Sequence, residues 1–329
     1  MRQALLSIAE TQAAIARGGH LLLAGDERAL AQLPRGSWIG GTIPYFMAEA
    51  GGVVARDQVF VTELPDSVER VAITTYDPEG LHQLVVDGPD NGFTAVILPA
   101  GSAVHTRFAL EAPHFPGFGS HPVVGWVSGV HLSELATAKA KVVSGLDPVA
   151  FDDRAVAMHV HMRPGKAVEI EIVNPFEQGQ GDALGFPDNT MRVSDALING
   201  ERRNFAAYIA ERGLDTRLPL VADYCGTGIN VSIQQVDHDR GEVVLYAPVF
   251  AGVTYRHARP IASYVAEFAR QMPAIDEGIV FSCNCILNFL YSELEGKRTG
   301  GLVGPITFGE IAYQLLNQTA VYLRAVDTV

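Results

Sequence analysis

Apolar positions along the chain alternate between two spacings. Residues 3–17 place Leu5, Leu6, Ile8, Ala9, Ala13 and Ile15 near one face of a helix, and Gly18-Gly19 stops it. His20–Gly25 follows as a short buried strand, and Asp26 caps a helix running through Leu30 and Leu33. Apolar or alternating runs predict strands over Trp38–Ile43, Gln58–Leu64, Val68–Tyr76 and Phe93–Pro99, with a helix near Leu81–Val86. Further strands are predicted at Pro122–Val127, Lys141–Val143, Ala155–Met162 and Val168–Val173. Pro175–Asn189 is dense in Gly and Asp and reads as a flexible connection.

Beyond it the pattern predicts a helix at Asn204–Arg212, stopped by Gly213. Strands follow at Leu218–Asp223, Gly228–Val236 and Gly241–Tyr246, the last two joined by the hairpin turn Asp237–Gly241. Ile261–Met272 reads as a helix and Gly278–Leu290 as one apolar, strand-like run. An apolar run then turns through Thr307-Phe308-Gly309-Glu310 and returns as the strand Asn317–Leu323. The sum is a mixed α/β fold, largely antiparallel, with flanking helices. Two pseudo-repeated halves are expected, 1–195 and 196–329.

One local pattern occurs three times. Trp38-Ile-Gly-Gly-Thr, Pro122-Val-Val-Gly-Trp-Val-Ser and Leu302-Val-Gly-Pro-Ile-Thr each embed glycine in an apolar strand. Such a glycine lets backbone or ligand approach closely.

Composition narrows the function classes. The chain has 329 residues, 48% hydrophobic and 19% charged, so a full interior is expected. A net charge of −13 with no basic face argues against nucleic acid as a partner. The N-terminus lacks the apolar core of a secretory signal, and no run approaches the roughly 20 apolar residues of a membrane span. Cys225, Cys283 and Cys285 cannot all pair, which fits a reducing, cytoplasmic setting.

Several clusters carry candidate chemistry. His159 and His161, in Met158-His-Val-His-Met162, share one face of a strand; they suit a metal or haem iron, or simply a polar face. His114-Phe-Pro-Gly-Phe-Gly-Ser-His121 reads as a lid over an apolar pocket or as a surface loop anchored by its phenylalanines. Cys283 is a candidate nucleophile for a hydrolase or lyase, although a free buried Cys is commonly inert. Asp223–Gly228 looks superficially like a phosphate loop but is better explained as a turn between strands. Arg256, beside Tyr255, could hold a carboxylate or form a surface ion pair. Glu310 could bind a ligand amine or brace its own turn, with Glu49 as its counterpart in the first half.

The C-terminal residues resemble the FIST family of sensory proteins. Ser282-Cys283, Val303-Gly-Pro-Ile-Thr-Phe-Gly-Glu-Ile311 and Asn317-Gln-Thr319 follow the family's order over roughly the last fifty residues. Earlier segments match in outline. Ile39-Gly-Gly-Thr42 stands where the family has a Gly-Ser-Thr-x-Gly-Glu turn, but Pro44-Tyr-Phe46 replaces the Gly-Glu. Pro122-Val-Val-Gly125 is similar to a Pro-Val-x-Gly-Gly strand, with Trp126 at the second glycine. The resemblance implies a divergent, stand-alone member without an output domain. It implies a small-molecule sensor acting through a partner in trans, such as a histidine kinase or cyclic-dinucleotide enzyme, or a second copy of itself. Amino acids are the implied ligand class, and a haem-based nitric oxide sensor is the alternative; no other cofactor is expected. Strand ends and glycine turns place the expected ligand pocket at Thr42, Trp126, Asp223, Arg256, Asn284, Thr307 and Glu310.

Overall fold

A computed structural model describes residues 3–224, 226–271 and 278–328. Cys225 and the expected helix end at Met272 lie outside the described residues. Strand accounts for 44% of the chain and helix for 17%, in several mixed sheets, so the fold is the expected mixed α/β type.

The strand order resolves into three like units rather than two halves. The first contains β1 (Gln3–Ser7), α1 (Ile8–Ala16), β2 (Leu21–Gly25), α2 (Glu27–Leu30), β3 (Trp38–Thr42), β4 (Tyr45–Ala48), β5 (Gly51–Val54) and β6 (Gln58–Glu63). The second contains β7 (Val68–Tyr76), α3 (Gln83–Val86), β8 (Gly92–Pro99), α4 (Ala103–Glu111), β9 (Val123–Ser128), β10 (Val142–Ser144), β11 (Val149–Phe151) and β12 (Ala155–Met162).

The third begins with β13 (Lys166–Val173) and is then interrupted by an insertion. Two sheets make up that insertion. One contains β14 (Leu184–Gly185), β16 (Asp195–Ile198), β17 (Glu201–Asn204), β18 (Leu220–Tyr224), β19 (Thr227–Val231) and β22 (Tyr255–His257). The other contains β15 (Thr190–Val193), β20 (Ile233–Asp237) and β21 (Glu242–Val249). Helix α5 (Phe205–Arg212) packs with them in a separate apolar cluster. The unit then resumes with α6 (Tyr264–Gln271), β23 (Ile279–Cys285), α7 (Ile286–Tyr291), β24 (Gly304–Thr307), β25 (Glu310–Ala312), β26 (Gln314–Leu316) and β27 (Ala320–Asp327).

Each unit builds the same four-stranded core, in the orders β1-β6-β2-β3, β7-β12-β8-β9 and β13-β27-β23-β24. Each has one parallel pair: β2–β3, β8–β9 and β23–β24. The hairpin after the third strand then leaves its own sheet. β10 pairs with β3, β25 with β9, and β4 with β24. The exchange closes a three-membered ring, so no unit completes its sheet alone. Pairings such as β9–β25 and β13–β27 cross residue 195, where a division into halves was expected.

The three glycine-bearing segments are the third strands of the three units. At one equivalent position, a Cβ on Gly125 would stand 1.8 Å from the Val96 carbonyl oxygen, and one on Gly304 2.1 Å from that of Ser282. The parallel partner approaches too closely for any side chain.

Several element assignments differ from the sequence pattern: the expected strand Gly228–Val236, for one, breaks at Ser232 into β19 and β20, which lie in different sheets. Residues 3–7 form β1, paired residue for residue with β6, although their apolar spacing suits a helix. Ser7 caps α1 through a reciprocal box with Glu10, which starts the helix only at Ile8. The run 278–290 breaks at Cys285, where β23 ends and α7 begins.

Candidate functional site

A large cavity among the described residues lies between the core units and the insertion, with a volume of about 670 Å³. Helix α4 supplies His105 and Leu110, and α7 supplies Ile286, Leu287 and Leu290. Phe308 follows β24; its ring packs over Gly129, where an added Cβ would meet it at 2.4 Å. The opposite wall is the three-stranded inserted sheet with its adjoining residues, through Met191, Gln234, Val244 and Tyr246. Polar groups therefore come from both sides, His105 and Asn317 from the core and Gln234 and Tyr246 from the insertion, among largely apolar neighbours.

Its polar groups are unusually free. His105 Nδ1 accepts the Gly101 N–H at 3.2 Å, which places the neutral ring's proton on Nε2. That Nε2 is buried and has no partner. Burial pushes the His105 pKa down to about 4, so the ring is uncharged at neutral pH. Asn317 is buried; its Oδ1 accepts from Ser232 N at 3.0 Å and Ser232 Oγ at 2.6 Å, while Nδ2 has no partner. Neither Tyr246 nor Gln234 makes a side-chain hydrogen bond among the described residues. A buried polar group left unmatched costs about 1–3 kcal/mol, so unmatched groups in a cavity wall call for a partner.

Behind this wall lies a buried network around Glu310. Its Oε2 accepts from Thr319 Oγ1 at 2.8 Å and Thr319 N at 3.3 Å, and Thr307 Oγ1 lies 3.4 Å from Oε1. Desolvation raises the Glu310 pKa to about 8, against the opposing effect of these hydrogen bonds. Asn284 Oδ1 accepts from Cys285 N at 2.7 Å and Asn288 Nδ2 at 3.0 Å. Burial, and then nearby Glu310, hold the Cys285 thiol well above the usual range, so it is protonated. Cys285 itself reaches the cavity wall.

The seven expected pocket residues do not converge on one cavity. Asn284, Thr307 and Glu310 come together in the network, and Trp126 is opposite Glu310 in the β9–β25 ladder. Trp126 stacks on Phe281 at 5.4 Å, inside the core. Thr42 lines a separate cavity of about 190 Å³ with Asp26 and Arg56, and its Oγ1 bridges the backbone N and O of Lys141. Asp223 is exposed in the β18–β19 hairpin and accepts from Gly226 N at 2.6 Å, so that segment is a turn between strands. Arg256 donates to the Gly181 carbonyl. Glu49 is exposed at the β4–β5 turn; by strand register, Phe46 occupies the position equivalent to Glu310.

The histidine pair has a different setting from the one expected. His159 is buried, with both ring nitrogens engaged: Nε2 lies 2.7 Å from Tyr76 Oη, and Nδ1 lies 2.9 Å from Thr94 Oγ1. Tyr76 donates onward to Asp87 Oδ2 at 2.8 Å, and His121 Nε2 lies 3.1 Å from Thr94 Oγ1. His161 is partly exposed, opposite Arg70. Among the described residues no group of three or more His, Cys, Asp or Glu side chains is placed to hold a metal ion. His114 is exposed, and Phe115 anchors its loop against Phe108 at 6.4 Å, away from the large cavity. Cys283 is buried, and its thiol donates to the Gly125 carbonyl at 3.6 Å.

Sequence reasoning did not select His105, Gln234 or Tyr246, and it treated Asn317 only as part of a motif. No local pattern marks these residues, because the insertion and the core meet only in the folded chain.

Fold and site together define a three-unit α/β protein with a cavity between core and insertion. The chain belongs to a family of unknown function, DUF6976, whose profile matches residues 6–326. No curated protein matches it. No helix among the described residues is long and apolar enough to cross a membrane.

Proposed function

We propose that this protein binds a small molecule in the cavity between core and insertion and passes the bound state to a partner in trans. The observation that carries this reading is the cavity itself, about 670 Å³, with Tyr246 and Gln234 making no side-chain hydrogen bond among the described residues in a largely apolar wall. Small-molecule sites commonly have this size and this balance of surfaces. The resemblance to FIST sensors supports it, because the segments that carry the likeness supply Phe308 and Asn317. By the same resemblance the partner is a histidine kinase or a cyclic-dinucleotide enzyme.

Asn317 suggests how the signal leaves the site. Its Oδ1 holds Ser232 at the start of the inserted sheet, while its Nδ2 remains free. A ligand that packs against Asn317 acts on the joint between core and insertion. Binding shifts that joint only as far as the ligand prefers one arrangement over the other.

Thermal-shift screening of the full chain tests the reading. A specific ligand at 100 times its dissociation constant stabilises the fold by about 2.7 kcal/mol. The same ligand should lose its effect in Leu290→Trp, which crowds the cavity from its rim. Hits that stabilise this variant equally would remove the cavity from the account.

A further inference from the structure

We propose that the cavity takes an uncharged ligand, one with an apolar body and a carbonyl or amide group. The proposal rests on the ligand-binding reading above and narrows it to a chemical class.

The argument begins with charge. Two cationic side chains line the cavity, and both are already paired: Lys139 with Asp152 at 2.8 Å, and Arg192 with Glu242 at 2.9 Å. Among the described residues no Asp or Glu lines it. An ion entering from water would lose hydration and gain no free counter-charge, which is costly in a largely apolar site. A zwitterionic amino acid would meet that cost twice.

The groups left open are all neutral. Tyr246 Oη and the Gln234 amide offer both donor and acceptor capacity. Asn317 Nδ2 and His105 Nε2 belong to residues of the wall but are themselves closed off from the cavity space. A neutral carbonyl oxygen can accept from Tyr246 Oη or the Gln234 amide, and an amide N–H can return a bond to either side chain. The remaining surface, from Leu287, Leu290, Phe308 and Met191, suits a hydrocarbon or aromatic body.

Calorimetric titration of the full chain with three naphthalene probes and one amino acid tests this. The probes are 2-naphthamide (neutral), 2-naphthoate (anion), 2-naphthylmethylammonium (cation) and free leucine (zwitterion). Naphthamide should bind at least about tenfold more tightly than each of the others. Tyr246→Phe should weaken it, and Leu290→Trp or Leu135→Trp, both substituted at the exposed rim, should abolish it. If a charged probe binds equally well or better, and Leu290→Trp abolishes that binding, the neutral-ligand proposal falls while the cavity remains the site. If no probe binds, or if binding persists in both rim variants, the cavity reading falls with it.

Discussion

Two buried polar networks, one within the second unit's sheet and one joining β25 of that sheet to the third unit's β23 and β24, differ in how they end. In the second unit, one arrangement of protons satisfies the whole sequence Asp87–Tyr76–His159–Thr94–His121. Tyr76 donates to Asp87, His159 Nε2–H to Tyr76, Thr94 to His159 Nδ1, and His121 to Thr94. In the third unit the network around Glu310 runs to the cavity wall, and free groups remain beside it at Asn317 Nδ2 and Asn288 Oδ1. A closed network uses its polar groups to hold the fold. An open one leaves some of them for something else to satisfy. His159, one of the two histidines that look most like chemistry in the sequence, thus has both ring nitrogens engaged within the fold, and the candidate site lies beside the less conspicuous asparagine.

The sharpest way to break this contrast is to truncate the closed network. His159→Ala removes a buried ring and strands Thr94 and Tyr76. The expected cost is about 3–5 kcal/mol, from the cavity and the lost hydrogen bonds together. Urea unfolding measures it, and binding of any cavity ligand should survive in the fraction that stays folded. Tyr246→Phe should behave in the opposite way, with a stability change below about 1 kcal/mol and a clear loss of binding. If His159→Ala were mild and abolished binding, the roles of the two regions would have to be exchanged.

Acid titration sharpens the comparison with a smaller effect. Desolvation lowers both His159 and His105 to about 4, from 6.5. Between those values the unfolded chain carries a proton on each ring that the folded chain lacks. Stability contributed by the two rings is therefore present above pH 6.5 and falls as pH drops toward 4. One ring belongs to the closed network and the other to the cavity wall. His105→Asn keeps an acceptor near Gly101 N and should make the urea midpoint fall less steeply than in wild type as pH drops from about 6.5 to about 4. An unchanged slope would mean that the cavity histidine titrates normally.

These differences also explain what the sequence could reveal. The three glycine strands were legible because close backbone approach leaves no choice of residue, as at Gly125 and Gly304. The Asp237–Gly241 hairpin was legible because the turn chemistry is local. β1 was not, because Gln3–Ser7 becomes a strand only through pairing with β6, more than fifty residues away. The exchange of hairpins among units was equally hidden, since its information lies in the register of distant strands. Three of the seven expected pocket residues, Asn284, Thr307 and Glu310, did fall into one network, because strand ends gather at one edge of a sheet. The cavity needed His105, Tyr246 and Leu290 to meet across a long insertion, which no local spacing encodes.

Glu310→Gln gives the finest distinction. With its pKa raised to about 8, Glu310 is a neutral acid at about pH 6, and glutamine is a neutral side chain of nearly the same shape. The unfolded carboxyl titrates near 4.5, so wild-type stability from this group is fully present below that pH and is lost as pH rises through about 8. The variant should therefore differ from wild type by less than about 1 kcal/mol only at about pH 4.5 and below, where the unfolded carboxyl is protonated too. The substituted amide has no proton to lose, so the variant should show no such decline and should overtake wild type between about pH 5 and about pH 8. Urea midpoints from about pH 4 to about pH 9 measure both limbs. A constant deficit for Glu310→Gln across that range would mean that Glu310 is ionised throughout. A permanent carboxylate behind Cys285 would then put negative charge at the back of the cavity wall. The open network would in that case favour a cationic ligand, so this titration also bears on what the cavity can hold.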